Sequence, residues 1–189
     1  MLKFLFDTVM AVFMLVLLSP VILICVLAIR RDSPGPGLFR QTRVGRNETP
    51  FTCYKLRTMY VTSASVPTHE ASASAITAIG RFLRRTKLDE LPQLFNVVRG
   101  EMSFVGPRPC LPQQTELVRL RREKHIFCLR PGITGLAQVQ NIDMSDPARL
   151  AEVDARYARQ MSFLTDLRIM FRTVVGGGQG DKVKVDNYR

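Results

Sequence analysis

MLKFLFDTVMAVFMLVLLSPVILICVLAIRR, Met1 to Arg31, is the stretch on which the fold turns. Between Thr8 and Ile29 no side chain carries a charge, and the run is long enough for a helix to cross a hydrocarbon core of ~30 Å. It is not a cleavable signal peptide, because no small-residue cleavage site follows and Arg30 and Arg31 close it. A spanning helix is the ordinary reading. Two features oppose it. Pro20 lacks the N–H that would bond the carbonyl of Val16 and pushes Ser19 away from helical geometry, so a kink is expected. The Ser19 hydroxyl can satisfy one backbone group freed there. Lys3 precedes the run as Arg30 and Arg31 follow it, and basic residues favour the cytoplasmic side. If both ends obey that rule, the segment dips in, breaks at Ser19–Pro20 and returns, with arms of about a dozen residues or ~18 Å each. The residues alone leave both the kinked spanning helix and the re-entrant helix open.

With 189 residues the chain has room for one domain with a sizeable core. Lys and Arg number 27 against 16 Asp and Glu, a net charge of +11 that predicts anionic partners: phosphorylated substrates, an anionic membrane surface or nucleic acid. The last is disfavoured, because aromatics are 8% of the chain, Trp is absent, and no stacking platform or recognition-helix motif is found. Cys25, Cys53, Cys110 and Cys128 show no paired spacing and fit a reducing compartment. His69 and His125 lack the spacing of a zinc site.

After the apolar segment, Ser33–Gly37 reads as a turn cluster. Phe39–Val44 and Phe51–Met59 then read as two strands around Gly45-Arg46-Asn47, a β-hairpin carrying Arg40, Arg43, Lys55 and Arg57. Val61 to Ala75 is small and polar, a loop placed to close over a substrate. From Ile76 the helical period returns, with Ile79 and Leu83 on one face. DELPQLFNVVRG (Asp89–Gly100) reads as a short helix with Asp89 at its N-cap, Pro92 in its first turn and Gly100 as its stop. Glu116–Phe127 is a charged helix. Two more helices follow, the last with an apolar stripe of Phe163, Leu164, Leu167, Met170, Phe171 and Val174 suited to a core or a membrane interface.

Asp89 and Glu90 carry the chemistry. A carboxylate at a helix N-terminus, closely preceded by Arg84, Arg85 and Lys87, should be held ionised, and so can serve as cap, metal ligand or nucleophile. Adjacent carboxylates suit Mg²⁺, which takes one or two of them plus phosphate oxygens. Arg108 between two prolines and Arg130 before Pro131-Gly132 are guanidinium forks on stiff loops, a geometry that matches phosphate. A structural loop with a paired arginine is the alternative for either alone. Together with the dyad they favour phosphoryl chemistry. Walker A, kinase glycine-loop and GxGxxG sequences are absent.

SPGPGLFRQTRVGRNETPFTCYKLRTM, LDELPQLFNVVRGEMSFVGPRP and RPGITGLAQV resemble, in order and spacing, the signatures of bacterial sugar transferases, the small monotopic phosphoglycosyl transferases. The resemblance extends from the Ser-Pro segment to SFLTDLRIMFRTV and implies the minimal form, without the extra N-terminal transmembrane domain of larger relatives. It implies an α+β, mainly helical fold: residues 1–31 a re-entrant membrane helix broken at Ser19 and Pro20, and residues 32–189 a catalytic body with a β-hairpin packed with helices and interfacial amphipathic helices. It implies transfer of a sugar-1-phosphate from a UDP-sugar to polyprenyl phosphate, releasing UMP, on the cytoplasmic face of the bacterial inner membrane and beside anionic lipids. Asp89 would be the nucleophile of a covalent phosphosugar intermediate and Glu90 a ligand of Mg²⁺. Lys55, Arg57, Arg108 and Arg130 would contact phosphate or nucleotide, and Asp166 would be a further polar site residue. Lys87 departs from the small hydroxyl residue usual there, and an extra cation would lower the nucleophile's pKa or bear on substrate choice. The competing reading is a membrane-anchored scaffold that binds anionic lipid, indifferent to Asp89→Asn.

Overall fold

A computed structural model describes residues 2–61 and 75–176. The loop expected over 61–75 lies outside them except at its two ends, as do Met1 and Arg189, expected on one side of the membrane. The architecture is mainly helical with two small sheets.

Helix α1 (Leu2–Asp32) has 31 residues and is about 46 Å long at 1.5 Å per residue. By length and composition it could cross a membrane. Its helical assignment is continuous through Pro20, so the break expected at Ser19–Pro20 does not interrupt the helix. The Ser19 hydroxyl donates to the Val16 carbonyl at 2.8 Å, the acceptor that Pro20 leaves without its helical donor. Asp7, Ala11, Cys25 and Ile29 are buried, and Met14, Leu15, Leu18, Val21, Ile22 and Val26 are partly buried between them. Spacings of three and four place these residues on one face. The packed stripe runs along almost the whole helix. Leu5, Val9, Phe13, Val16, Leu17 and Ile24 are exposed.

Strands β1 (Leu38–Val44) and β2 (Pro50–Leu56) pair antiparallel, with Phe39 opposite Lys55 and Arg43 opposite Phe51. The turn between them is a single 3₁₀ turn, Arg46–Glu48, with Asn47 and Glu48 at φ 54° and 60°. β2 ends at Leu56 rather than Met59, one residue before the Arg57 N–H makes the last hairpin bond, to the Gly37 carbonyl. Helix α2 (Ala78–Thr86) starts at Thr77, whose hydroxyl accepts from Gly80 N–H at 2.9 Å.

The expected helix start at Asp89 is corrected. Lys87 is left-handed at φ 58°, Leu88–Glu90 form one 3₁₀ turn, and α3 runs from Gln93 to Val98 with Pro92 at its N-cap. No side chain caps either element, so Asp89 is not held as a cap.

Strands β3 (Ser103–Val105) and β4 (Gly132–Thr134) are parallel, a pairing the sequence did not announce. It sets the Pro107–Pro109 loop beside Arg130–Pro131, with Gly106 N–H donating to Thr134 and Gly132 N–H to Pro107, each at 2.9 Å. A side chain at Gly132 would place its Cβ 2.1 Å from the Gly106 nitrogen, so only glycine permits this approach. Helix α4 (Thr115–Glu123) is shorter than expected, because His125 at φ 55° turns the chain into a 3₁₀ turn over Ile126–Cys128. After the short α5 (Leu136–Val139), α6 (Pro147–Gln160) is N-capped by Asp146 and α7 (Phe163–Val174) by Ser162. The core joins Ala11 of α1 to Phe51, Leu94, Val97, Phe104, Tyr157 and Ile169, so the apolar helix is part of the body's packing.

Candidate active site

A cavity of about 1250 Å³ opens between the hairpin, the Leu88–Glu90 turn, α1 and α7. Lys55, Arg84, Asp89, Glu90 and Arg108 form its polar wall, while Phe6, Met10 and Met14 of α1 and Leu167 and Met170 of α7 form an apolar one. The volume exceeds the ~300–1,000 Å³ of ordinary small-ligand clefts, leaving room for a large or a second ligand.

Glu90 is held from two sides. Lys55 Nζ lies 2.9 Å and Arg108 Nη2 3.1 Å from the same carboxylate oxygen, Oε1. Strand pairing and proline stiffness deliver these cations: Lys55 projects from β2, and Arg108 from a loop whose neighbours cannot relax. Asp89 is buried at 8% exposure yet lines the cavity. Burial, and then the adjacent Glu90 carboxylate, push it up to about 6, against Lys55, Arg84 and Arg108, which lower it. The expected depression is thereby reversed, although the ionised form still predominates at neutral pH. Lys87 lines the same cavity. Its ammonium donates to the Thr173 carbonyl of α7 at 3.4 Å.

Arg57 borders the cavity, but its guanidinium donates to the carbonyls of Pro34 and Ser33, each at 2.7 Å, and of Ile29 at 3.5 Å. It thus satisfies the C-terminal end of α1 and ties that helix to β2. Arg130 and Asp166 are not among the residues lining this cavity. Arg130 lies over the Phe4 ring at 4.2 Å, and Asp166 is buried between Lys3 and the Tyr157 hydroxyl, which donates to it at 2.7 Å. Asp7 completes this second cluster, accepting from the Ser103 hydroxyl at 2.7 Å. The two predicted residues therefore lie where α1 docks, apart from the dyad. Arg43 and Arg84 line the cavity and were not singled out as site residues. Hairpin alternation places Arg43 on the face of Lys55 and was the available signal; Arg84 had only its nearness to the dyad.

Among the described residues no cluster of three or more His, Cys, Asp or Glu could enclose a metal. Asp89 and Glu90 offer two hard oxygen donors, and an oxygen-seeking cation would draw the rest of its shell from a ligand or water.

The cavity thus joins a half-hidden carboxylate dyad ringed by cations to an apolar wall built partly from an exposed apolar helix. The chain belongs to the bacterial sugar transferase family, whose model matches residues 1–178. It is 39% identical over 179 residues to the UDP-glucose:undecaprenyl-phosphate glucose-1-phosphate transferase of Caulobacter vibrioides, covering 89% of this chain and 66% of that one. It is 35% identical to the undecaprenyl-phosphate galactose phosphotransferase of Salmonella typhimurium, covering 91% of this chain and 39% of that one. It is 38% identical to the uncharacterized sugar transferase EpsL of Bacillus subtilis, covering 92% and 85%. The chain thus spans less than two thirds of the length of several curated relatives, 34% and 39% for two more of them.

Proposed function

We propose that this protein is a phosphoglycosyl transferase that moves a sugar-1-phosphate from a UDP-sugar to polyprenyl phosphate. The observation carrying this reading is Asp89, buried and beside Glu90, facing an open cavity lined by cations on one side and apolar groups on the other. An Asp89 carboxylate oxygen attacks the β-phosphorus, forming an Asp–O–P bond and breaking the bond to the α-phosphate, so UMP leaves. A phosphate oxygen of the acceptor then attacks the same phosphorus, forming the diphosphate-linked sugar and releasing Asp89 as a carboxylate. Lys55 and Arg108, with Arg43 and Arg84 nearby, neutralise the donor diphosphate that an anionic nucleophile must approach. Asp89 and Glu90 fit Mg²⁺ bound together with donor phosphate oxygens, and such an ion would withdraw charge from the reacting diphosphate. Arg57, Arg130 and Asp166 also tie α1 to the body, through the contacts of Arg57 with Ser33 and Pro34, Arg130 with Phe4 and Asp166 with Lys3.

The protein sits on the cytoplasmic face of the bacterial inner membrane, with 1–31 re-entrant through a bend at Ser19–Pro20 within the continuous helix and 32–189 as the catalytic body of one unit. Both ends of α1 contact that body, through Lys3–Asp166 and through Ile29, Ser33 and Pro34 to Arg57. The exposed apolar faces of α1 and α7 and the +11 charge suit an anionic bilayer surface. The test is UMP release by purified protein with Mg²⁺, undecaprenyl phosphate and a panel of UDP-sugars beginning with UDP-glucose and UDP-galactose. Release that Asp89→Asn abolishes supports the transferase. Lipid binding without turnover across the panel would favour the scaffold instead.

A further inference from the structure

Four successive carbonyls of the arginine-bearing loop each have a donor. Gly132 N–H bonds Pro107 at 2.9 Å and Val44 N–H bonds Cys110 at 3.0 Å. Arg43 Nη1 bonds Pro109 at 3.0 Å, and Arg121 Nη1 bonds Arg108 at 2.8 Å. Two prolines remove their own N–H groups from this loop, so its position is set through its acceptors. The donor to the Arg108 carbonyl comes from the far side of the body. Arg121 belongs to α4, is 2% exposed, and does not line the large cavity. Its Nε and Nη2 bond Oδ2 of Asp154, on α6, at 3.0 and 2.6 Å. Asp154 is 3% exposed.

A buried ion pair is a weak source of stability, since desolvation offsets most of its attraction. Besides a hydrogen bond with Cys110, this one leaves its remaining guanidinium edge for the backbone of the residue whose side chain bonds Glu90. We infer that Arg121, locked by Asp154, is a positioning residue for the transfer reaction, aiming Arg108 at Glu90 and the donor diphosphate from outside the site. On the transferase reading above, Arg108 acts on developing phosphate charge, where misplacement by about 1 Å costs up to ~100-fold in rate.

Arg121→Lys keeps the charge opposite Asp154 and loses the fork that serves both acceptors. The expected result, in the UMP-release assay with whichever UDP-sugar of the panel the wild type uses, is a kcat lower by about 10- to 100-fold with KM changed less than about threefold. Arg108→Ala alone should cost at least as much, and adding Arg121→Lys to it should cost less than about twofold more. Multiplying effects in the double variant, or an unchanged kcat in Arg121→Lys, would overturn the positioning role. An Arg108→Ala variant as active as wild type would instead overturn the site reading, and a wild type that turns over no UDP-sugar of the panel would overturn the proposed reaction. If Arg121→Lys lacks a cooperative melting transition, Arg121→Met with Asp154→Leu replaces the pair by apolar groups of similar size. It should melt near wild type with the same loss of kcat, and full activity there would equally refute the role.

Discussion

On the transferase reading Asp89 is the reactive group, and its surroundings disfavour its charge. Its pKa is raised from the ordinary carboxylate value to about 6 by burial and by Glu90. The folded state thus binds this proton more tightly than the unfolded chain, so stability falls as pH rises from about 4 to about 6 and the full cost persists above. Asp89→Asn removes that cost. It is expected to raise the melting temperature at pH 7.5 while lowering transfer at least ~10³-fold, a gain in stability for a loss of function. A calorimetric scan beside a UMP assay checks both, and a variant less stable than wild type at pH 7.5 would contradict the account of the raised pKa. The nucleophile must be ionised, so kcat/KM of the wild type should fall tenfold per pH unit below about 6. Glu90→Gln removes a charge that raises Asp89, and Lys55→Met one that lowers it. The acid limb should move to lower pH in the first and to higher pH in the second, which residual activity against pH measures. None of this was legible in the sequence, where the near cations Arg84, Arg85 and Lys87 pointed to a depressed value. Burial, which the sequence does not display, together with Glu90 outweighs the cations Lys55, Arg84 and Arg108.

The parallel β3–β4 pair is the element that unites the two arginine loops. The two loops were legible as rigid pieces, because proline and glycine act locally. Their adjacency was not, since β3 and β4 have three residues each, too few for a strand pattern. Gly132→Ala tests the contact: its methyl would meet the Gly106 nitrogen at 2.1 Å. The pair should open at a cost on the order of 3 kcal/mol, lowering the melting temperature by roughly 10 °C. Transfer should fall by more than the unfolded fraction explains, because Arg108 moves with the loop. A soluble, fully active Gly132→Ala protein would refute the element's role.

At the scale of the molecule, α1 is packed against the body along its length and presents an exposed apolar outer face suited to a bilayer. Its two ends are therefore expected on one side of the membrane. Single cysteines at Leu2 and at Arg31, in a variant lacking the four native thiols, should both react with an impermeant maleimide from the cytoplasmic side of oriented vesicles. Labelling from opposite sides would make α1 a spanning helix and end the re-entrant reading. The helix stays continuous at Pro20 because one hydroxyl replaces one missing donor, at Val16.

What the sequence determined by itself is what short-range chemistry dictates. The uncharged run makes a helix long and apolar enough for a membrane, prolines stiffen the loop of Arg108, and Asp146 and Ser162 start their helices as caps. Alternation predicts the hairpin, and adjacency in the chain places Glu90 against Asp89. What only the tertiary structure decided depends on residues far apart in the chain. Arg57 turns to carbonyls of α1, Arg130 and Asp166 move to where that helix docks, and Arg121 reaches the Arg108 backbone with Asp154 behind it. The physical reason is that burial and hydrogen-bond partners are properties of the packed chain, and a charged residue reads alike in sequence whether it meets substrate, backbone or solvent.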